Sequence, residues 1–297
     1  MNATAPATPQ APADPAPKSS GWSLRLRIAS GLLFVPLLIL LARAGGLAFT
    51  SFVALQNILG LREFFRMMRA KRLEPNVTLG ITAGALMPFV CYRPHWIPGD
   101  LLVAGLVMLQ LALGLRRPHR ERLVEGMAVT MFGLLYVGWL ASHLVLLREL
   151  PWIAGLDYAS GWRFVLLAFF VTWSCDTGAY AFGRMFGRIR PWGQISPRKS
   201  LEGSLGGLGT ALIAAFIARA WFAPFLSIRD AAVLGLLVGI CGQVGDLVES
   251  LLKRDASHGD SSDIIPGHGG ILDRFDSLYF AAPLIYYYLR MVVFRVP

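Results

Sequence analysis

Apolar residues run along the chain in nine long stretches, near 28–42, 45–61, 77–92, 100–115, 126–147, 162–182, 204–222, 231–252 and 277–294. Polar and charged residues collect in the gaps between them. Runs this long and this poor in charge predict helices that approach the roughly 20 residues needed to cross a ~30 Å hydrocarbon core. Several reach that length only by extending into flanking Ser, Gly, Trp and Tyr. The pattern therefore predicts an all-α, polytopic integral membrane protein with nine transmembrane helices. Residues 1–22 break the pattern: they are Ala/Pro-rich, cannot bury a core, and read as a disordered tail. The rest divides into N-terminal membrane helices over 23–160 and a second membrane region over 161–297, which carries two long loops at 183–203 and 253–276.

Composition sharpens this picture. Of 297 residues, 55% are hydrophobic and 15% are charged, against about 25% charge in an ordinary globular chain. A soluble two-domain enzyme, a disordered protein and a DNA-binding module are all excluded. The net charge of +10 comes from 28 Lys and Arg against 18 acids, and its placement tells what it is for. With the N-terminus in the cytoplasm and nine spans, 20 of the basic residues fall in inside segments and 7 in outside segments, with Arg219 inside a span. That alternation follows the positive-inside rule. The basic excess is then topological, with attraction to anionic membrane lipids, and nucleic acid is not a partner. The expected location is the inner (cytoplasmic) membrane, multi-pass, with both long loops facing the cytoplasm. At the front, Arg25, Arg27, the run 28–41 and Ala42-Arg43-Ala44 imitate a signal peptide, but the long preceding tail and the Arg inside the cleavage site weigh against removal. Cys91, Cys175 and Cys241 are few, odd in number and within or beside apolar runs, so they read as small buried hydrophobes.

The acids are concentrated where chemistry is expected. Asp246, Glu249, Asp255, Asp260, Asp263, Asp273 and Asp276 all lie between positions 246 and 276. Asp246, Glu249, Ser250 and Lys253 sit at i, i+3, i+4 and i+7, on one face of a helix. A carboxylate inside an apolar run is costly unless paired, hydrated or metal-bound; a plain Lys253 pair with Asp246 or Glu249 is the structural alternative. Asp273 and Asp276 form a second one-face pair, for which helix capping is the competing role. Two carboxylate groups without a Cys or His cluster favour a hard cation, Mg²⁺ or Mn²⁺. Between them, IPGHGGILD offers Gly267, His268, Gly269 and Gly270, whose backbone can approach a phosphate closely. In the 183–203 loop, Arg198, Lys199 and Ser200 precede a helix and suit an anion, while Arg184, Arg188 and Arg190 are accounted for by positive-inside charge. Asp176, at the end of the sixth run, either joins the site or pairs with Arg184. Gly203, Gly206, Gly207 and Gly209 permit close helix approach, and packing is favoured over a lipid route.

Three stretches together resemble a known family. SLLKRDASHGDSSDIIPGHGGILDRFDS (250–277), CDTGAYAFGRMFG (175–187) and SPRKSLEG (196–203) are similar, in matching order, to motifs of the phosphatidate cytidylyltransferase (CDP-diacylglycerol synthase) family. The likeness covers roughly 165–285. It implies transfer of CMP from CTP to phosphatidate, with release of pyrophosphate, as a step of phospholipid biosynthesis. It also implies that Asp246 and Asp273 bind the catalytic metal. Ser250 and Lys253 are implicated in catalysis, and Arg254, Asp260, His268, Gly269, Gly270, Arg274 and Asp276 in binding, with Asp176, Lys199 and Ser200 nearby. A homodimer is implied as well. The chain departs from the pattern at Gly259, where the family carries Lys, at Leu201, where it carries Trp, and at Ser261 and Ser262, where an aromatic and a glycine are common. Losing one cation weakens charge neutralisation, and His258 or Arg254 can substitute.

Two other readings compete. One is a related membrane nucleotidyltransferase with another lipid-phosphate acceptor. The other is a transporter using Asp176, Asp246 and Glu249 as a cation relay, against which stand the absence of an internal repeat and two phosphate-suited loops with no role in a carrier.

Overall fold

The computed structural model describes residues 21–93, 98–116, 122–256 and 270–296, and among these every regular element is helical. The ten α-helices are α1 (Gly21–Ala44), α2 (Gly46–Ala70), α3 (Val77–Tyr92), α4 (Gly99–Gly114), α5 (Leu123–Gly133), α6 (Leu140–Ile153), α7 (Gly161–Phe186), α8 (Leu201–Trp221), α9 (Ile228–Asp255) and α10 (Leu272–Tyr288). A π-helical turn at Leu134–Trp139 joins α5 to α6, and another at Leu289–Val293 extends α10. Four helical segments are long and apolar enough to cross a membrane: Leu123–Ile153, Tyr158–Phe186, Leu201–Trp221 and Ile228–Asp255. Large apolar side chains also cover much of the outer surface, among them Leu33, Leu40, Leu86, Met108, Ile213 and Ile240. Such a surface is unfavourable against water and natural against lipid.

Polar residues inside the bundle have local reasons. Asn57 of α2 donates its amide to the Gly84 carbonyl (2.9 Å) and the Gly138 carbonyl (3.1 Å), and Ser142 donates to Gly138 as well (2.6 Å). These donors serve a carbonyl in the π-turn, where the regular ladder is interrupted. Three of the helix starts are capped by short side chains. Asn76 caps α3, Ser200 caps α8, and Ser227 with Asp230 forms a capping box on α9.

Helices α7 and α8 lie close because small residues line their contact. A methyl group at Gly203 would come 2.8 Å from the Ala179 carbonyl oxygen, and one at Gly207 would come 3.0 Å from the Cys175 carbonyl oxygen. Gly206 likewise abuts Phe182, whereas Gly209 faces open space. Packing thus accounts for three of the four glycines.

One sequence expectation needs correction. Arg148 reads as an outside loop charge, but it lies within α6 and is 1% exposed. Its guanidinium donates to the carbonyls of Ala42 (2.5 Å), Arg43 (3.3 Å) and Tyr158 (3.2 Å) and lies 4.3 Å from the Tyr158 ring centre. A cation at the C-terminal carbonyls of α1 is favoured by the helix dipole. A Cβ at Gly45 or Gly161 would collide with the guanidinium, and Gly45 also takes φ +60°.

Candidate functional site

At the opposite end of the bundle, the C-termini of α2, α7 and α9 meet the N-termini of α8 and α10. Lys71, just after α2, pairs with Asp255 at the end of α9. Arg254 donates to the Ile195 carbonyl (3.3 Å), tying α9 to the loop before α8. That loop is further held by Glu202, whose carboxylate accepts from the backbone N–H of Arg188 (3.1 Å) and Ile189 (3.2 Å). Leu201 N–H donates to the Ile189 carbonyl (2.8 Å), and Arg190 to the Pro197 carbonyl (2.7 Å). The 183–203 loop is therefore an ordered wall.

Between this wall and helices α7, α8 and α9 lies a cavity of about 530 Å³, within the range of small-molecule sites. Its lining includes Asp176, Arg184, Arg190, Arg198, Lys199 and Asp246. Lys199 Nζ sits 2.9 Å from Asp246 Oδ1; the carboxylate side chain is 38% exposed, whereas the lysine nitrogen itself is buried and only the rest of that side chain reaches solvent. Ser200 also lines the cavity, and its hydroxyl accepts from Gly203 N–H (3.1 Å), capping α8 while keeping an O–H to donate. Asp176 accepts from the Ser277 hydroxyl (3.3 Å) rather than pairing with Arg184, which donates to Tyr180 (3.2 Å).

Next to the cavity, a second cluster is buried. Lys253 of α9 pairs with Glu249 one turn before it (2.8 Å) and with Asp273 of α10. The helical face expected from the sequence thus divides its work: Asp246 turns to the cavity and Lys199, while Glu249 and Lys253 turn to α10. Ser250, between them, is half-buried. Asp276 is buried and accepts from the adjacent Ser277 N–H (2.6 Å). Ser277 therefore touches both Asp176 and Asp276. Arg254 and Arg274 are exposed at the same end, and Gly270 donates its N–H to Asp273 (3.3 Å). Asp260, His268 and Gly269 lie outside the described residues.

Sequence reasoning missed three kinds of residue. Arg184 and Arg190 were assigned to topology, yet they line the cavity. Ser277 carried no signal beyond its place beside Asp276. Glu63 had one, being the only acid in α2, and it accepts from the N–H groups of Ile271 (3.0 Å) and Leu272 (2.8 Å).

A divalent cation can be weighed against these donors. Among the described residues no three His, Cys, Asp or Glu side chains are gathered as a ready-made metal cage. Magnesium, however, is commonly held by one or two carboxylates together with substrate phosphates. Carboxylates set among arginines and a lysine have that chemistry, because an anion drawn in by the cations meets Asp246 and Asp176 favourably only with a metal between them.

Comparison with known proteins agrees with this chemistry. The cytidylyltransferase family model matches residues 25–292. A phosphatidate cytidylyltransferase of Synechocystis sp. is 37% identical over 289 residues, covering 90% of this chain and 97% of that protein. One of Staphylococcus haemolyticus is 33% identical over 256 residues, covering 86% and 93%. One of Staphylococcus aureus (strain COL) is 31% identical over 255 residues, with the same coverage.

Proposed function

This chain belongs to the cytidylyltransferase family, and on that premise we propose that it transfers CMP from CTP to phosphatidate, forming CDP-diacylglycerol and pyrophosphate. The observation that carries this reading is the cavity walled by four cations and two carboxylates. A phosphate monoester has a second pKa near 6, so phosphatidate arrives as an anionic nucleophile and no general base is required. Its phosphate oxygen attacks the α-phosphorus of CTP. One P–O bond forms, the bond from the α-phosphorus to the bridging oxygen breaks, and pyrophosphate leaves with that electron pair. The obstacle is repulsion between two anions, and catalysis is mainly positioning and charge neutralisation.

In this proposal Lys199, Arg184, Arg190 and Arg198 receive the phosphates of the nucleotide. Asp246, with Asp176 beside it on the cavity wall, and Asp273 in the adjoining cluster would hold Mg²⁺ or Mn²⁺, and the ion would polarise phosphoryl oxygens and neutralise the leaving group. Lys199 and Lys253 orient those two carboxylates. Ser277 links Asp176 to Asp276 and so keeps α7 and α10 in register at the site. Arg254, Arg274 and the segment carrying Asp260, His268 and Gly269 complete the binding of substrate. Nine spans, a cytoplasmic N-terminus and an inner-membrane site open to cytosolic CTP are supported by the distribution of Lys and Arg. A homodimer rests on the family likeness alone.

The test follows labelled CTP into lipid, with purified protein, phosphatidate and Mg²⁺. Wild type, Asp273→Ala and Gly259→Lys are run side by side. Metal-dependent CDP-diacylglycerol from wild type, lost in Asp273→Ala, is the expected result. A folded but silent wild type alongside an active Gly259→Lys would contradict the reading for this chain.

A further inference from the structure

Glu63 is a buried carboxylate that the reaction does not call for. It is 1% exposed, and it lies in α2, outside the helices that line the cavity. An ionic side chain buried this way is costly unless it is well hydrogen-bonded. Its two oxygens accept separately, one from Ile271 N–H (3.0 Å) and the other from Leu272 N–H (2.8 Å). Those groups belong to the start of α10, where the first N–H donors lack helical partners and the dipole is positive.

The contrast with neighbouring helices is informative. Helices α8 and α9 are capped by the local serines Ser200 and Ser227. The N-cap of α10, Ile271, has no side-chain cap of its own. Its donors are met by a residue 208 positions earlier in the chain. Asp273 follows one residue after Leu272 and contacts Lys253 of α9. The first turn of α10 is thereby tied to α2 on one side and to α9 on the other.

We propose that Glu63 is a positioning residue: by holding the start of α10 against α2, it sets where Asp273 stands relative to Lys253 and Glu249. This rests on the function proposed above. Outer residues that orient ligating groups typically change metal affinity or activity by about 10–100-fold when altered.

The test compares wild type with Glu63→Gln and Glu63→Asp, each checked for an unfolding midpoint in detergent. Gln nearly preserves volume but turns a donor toward one backbone N–H, whereas Asp keeps the charge on a shorter arm. Hydrogen exchange is read on a peptide covering 270–276, and CDP-diacylglycerol synthesis is titrated with Mg²⁺. In Glu63→Gln, exchange at Ile271 and Leu272 is expected to quicken about 10-fold or more. The Mg²⁺ concentration for half-maximal rate should rise about 10–100-fold, with both effects partly restored in Glu63→Asp. Mere loss of folded protein lowers the rate without moving that midpoint. Unchanged exchange would overturn the contact, and faster exchange with an unmoved Mg²⁺ midpoint would overturn the positioning role. A silent wild type would instead sink the proposed reaction, and the exchange arm would still decide the contact.

Discussion

The two ends of the bundle use buried and half-buried charge in opposite ways. Helix α2 joins them, with Gly46 at one end and Ala70 at the other, about 36 Å apart at 1.5 Å per residue. At the Gly46 end, Arg148 is fully enclosed and its donors are used by carbonyls of its own chain. Tyr158 completes that enclosure by accepting from Gly46 N–H and donating to Glu149. At the other end, Lys199 and Asp246 pair on the wall of a cavity lined by three further cations, with the lysine nitrogen buried and the Asp246 carboxylate left partly exposed. Charge that serves the fold is saturated and dry. Charge at the proposed site is oriented by its neighbours, and the Asp246 carboxylate is left reachable.

This contrast can be broken most sharply at Asp246. Asp246→Asn is expected to lower the rate of CDP-diacylglycerol formation about 10²–10³-fold, the usual scale for losing one preorganised electrostatic group, without moving the unfolding midpoint. Arg148→Met should do the reverse. It strands carbonyls that accept from the guanidinium, each costing about 1–3 kcal/mol when buried and unsatisfied. Thermal unfolding in detergent should therefore shift well below wild type, while the rate per folded molecule is retained.

A smaller effect is expected at Gly235, in the half of α9 remote from Asp246. An added methyl would come 2.8 Å from Leu212 Cα of α8, so Gly235→Ala should destabilise by about 1–3 kcal/mol and leave the rate per folded molecule unchanged. The smallest effect belongs to Arg122, whose ion pair with Glu125 is exposed on both sides. Arg122→Gln should leave the unfolding midpoint essentially at the wild-type value, and a clear drop in it would show that surface charge does more here than the contrast allows.

Much of this was legible in the chain. The nine apolar stretches each coincide with a helical segment, because apolar runs between polar breaks leave the backbone few other options in lipid. The i, i+3, i+7 spacing placed Asp246, Glu249 and Lys253 on neighbouring turns of one helix. What spacing could not give was the division of that face between two partners, since Lys199 and Asp273 come from other helices. Arg148 was misread because charge counts cannot distinguish a loop cation from one folded back onto the carbonyls of a distant helix. Arg184 and Arg190 were hidden for the opposite reason: their topological explanation was sufficient, so nothing demanded a second role. Glu63 is the lone acid in α2, but it accepts from backbone groups more than two hundred residues away, which side-chain patterns do not encode.

The most direct measurement puts Asp246→Asn and Arg148→Met through the same two assays, labelled-CTP transfer to phosphatidate and thermal unfolding in detergent. The expected result is a crossed outcome: Asp246→Asn folded at the wild-type midpoint with about 1% of the rate or less, and Arg148→Met unfolding earlier but active while folded. An Asp246→Asn protein that turns over near the wild-type rate would contradict the assignment of the cavity as the site of CMP transfer.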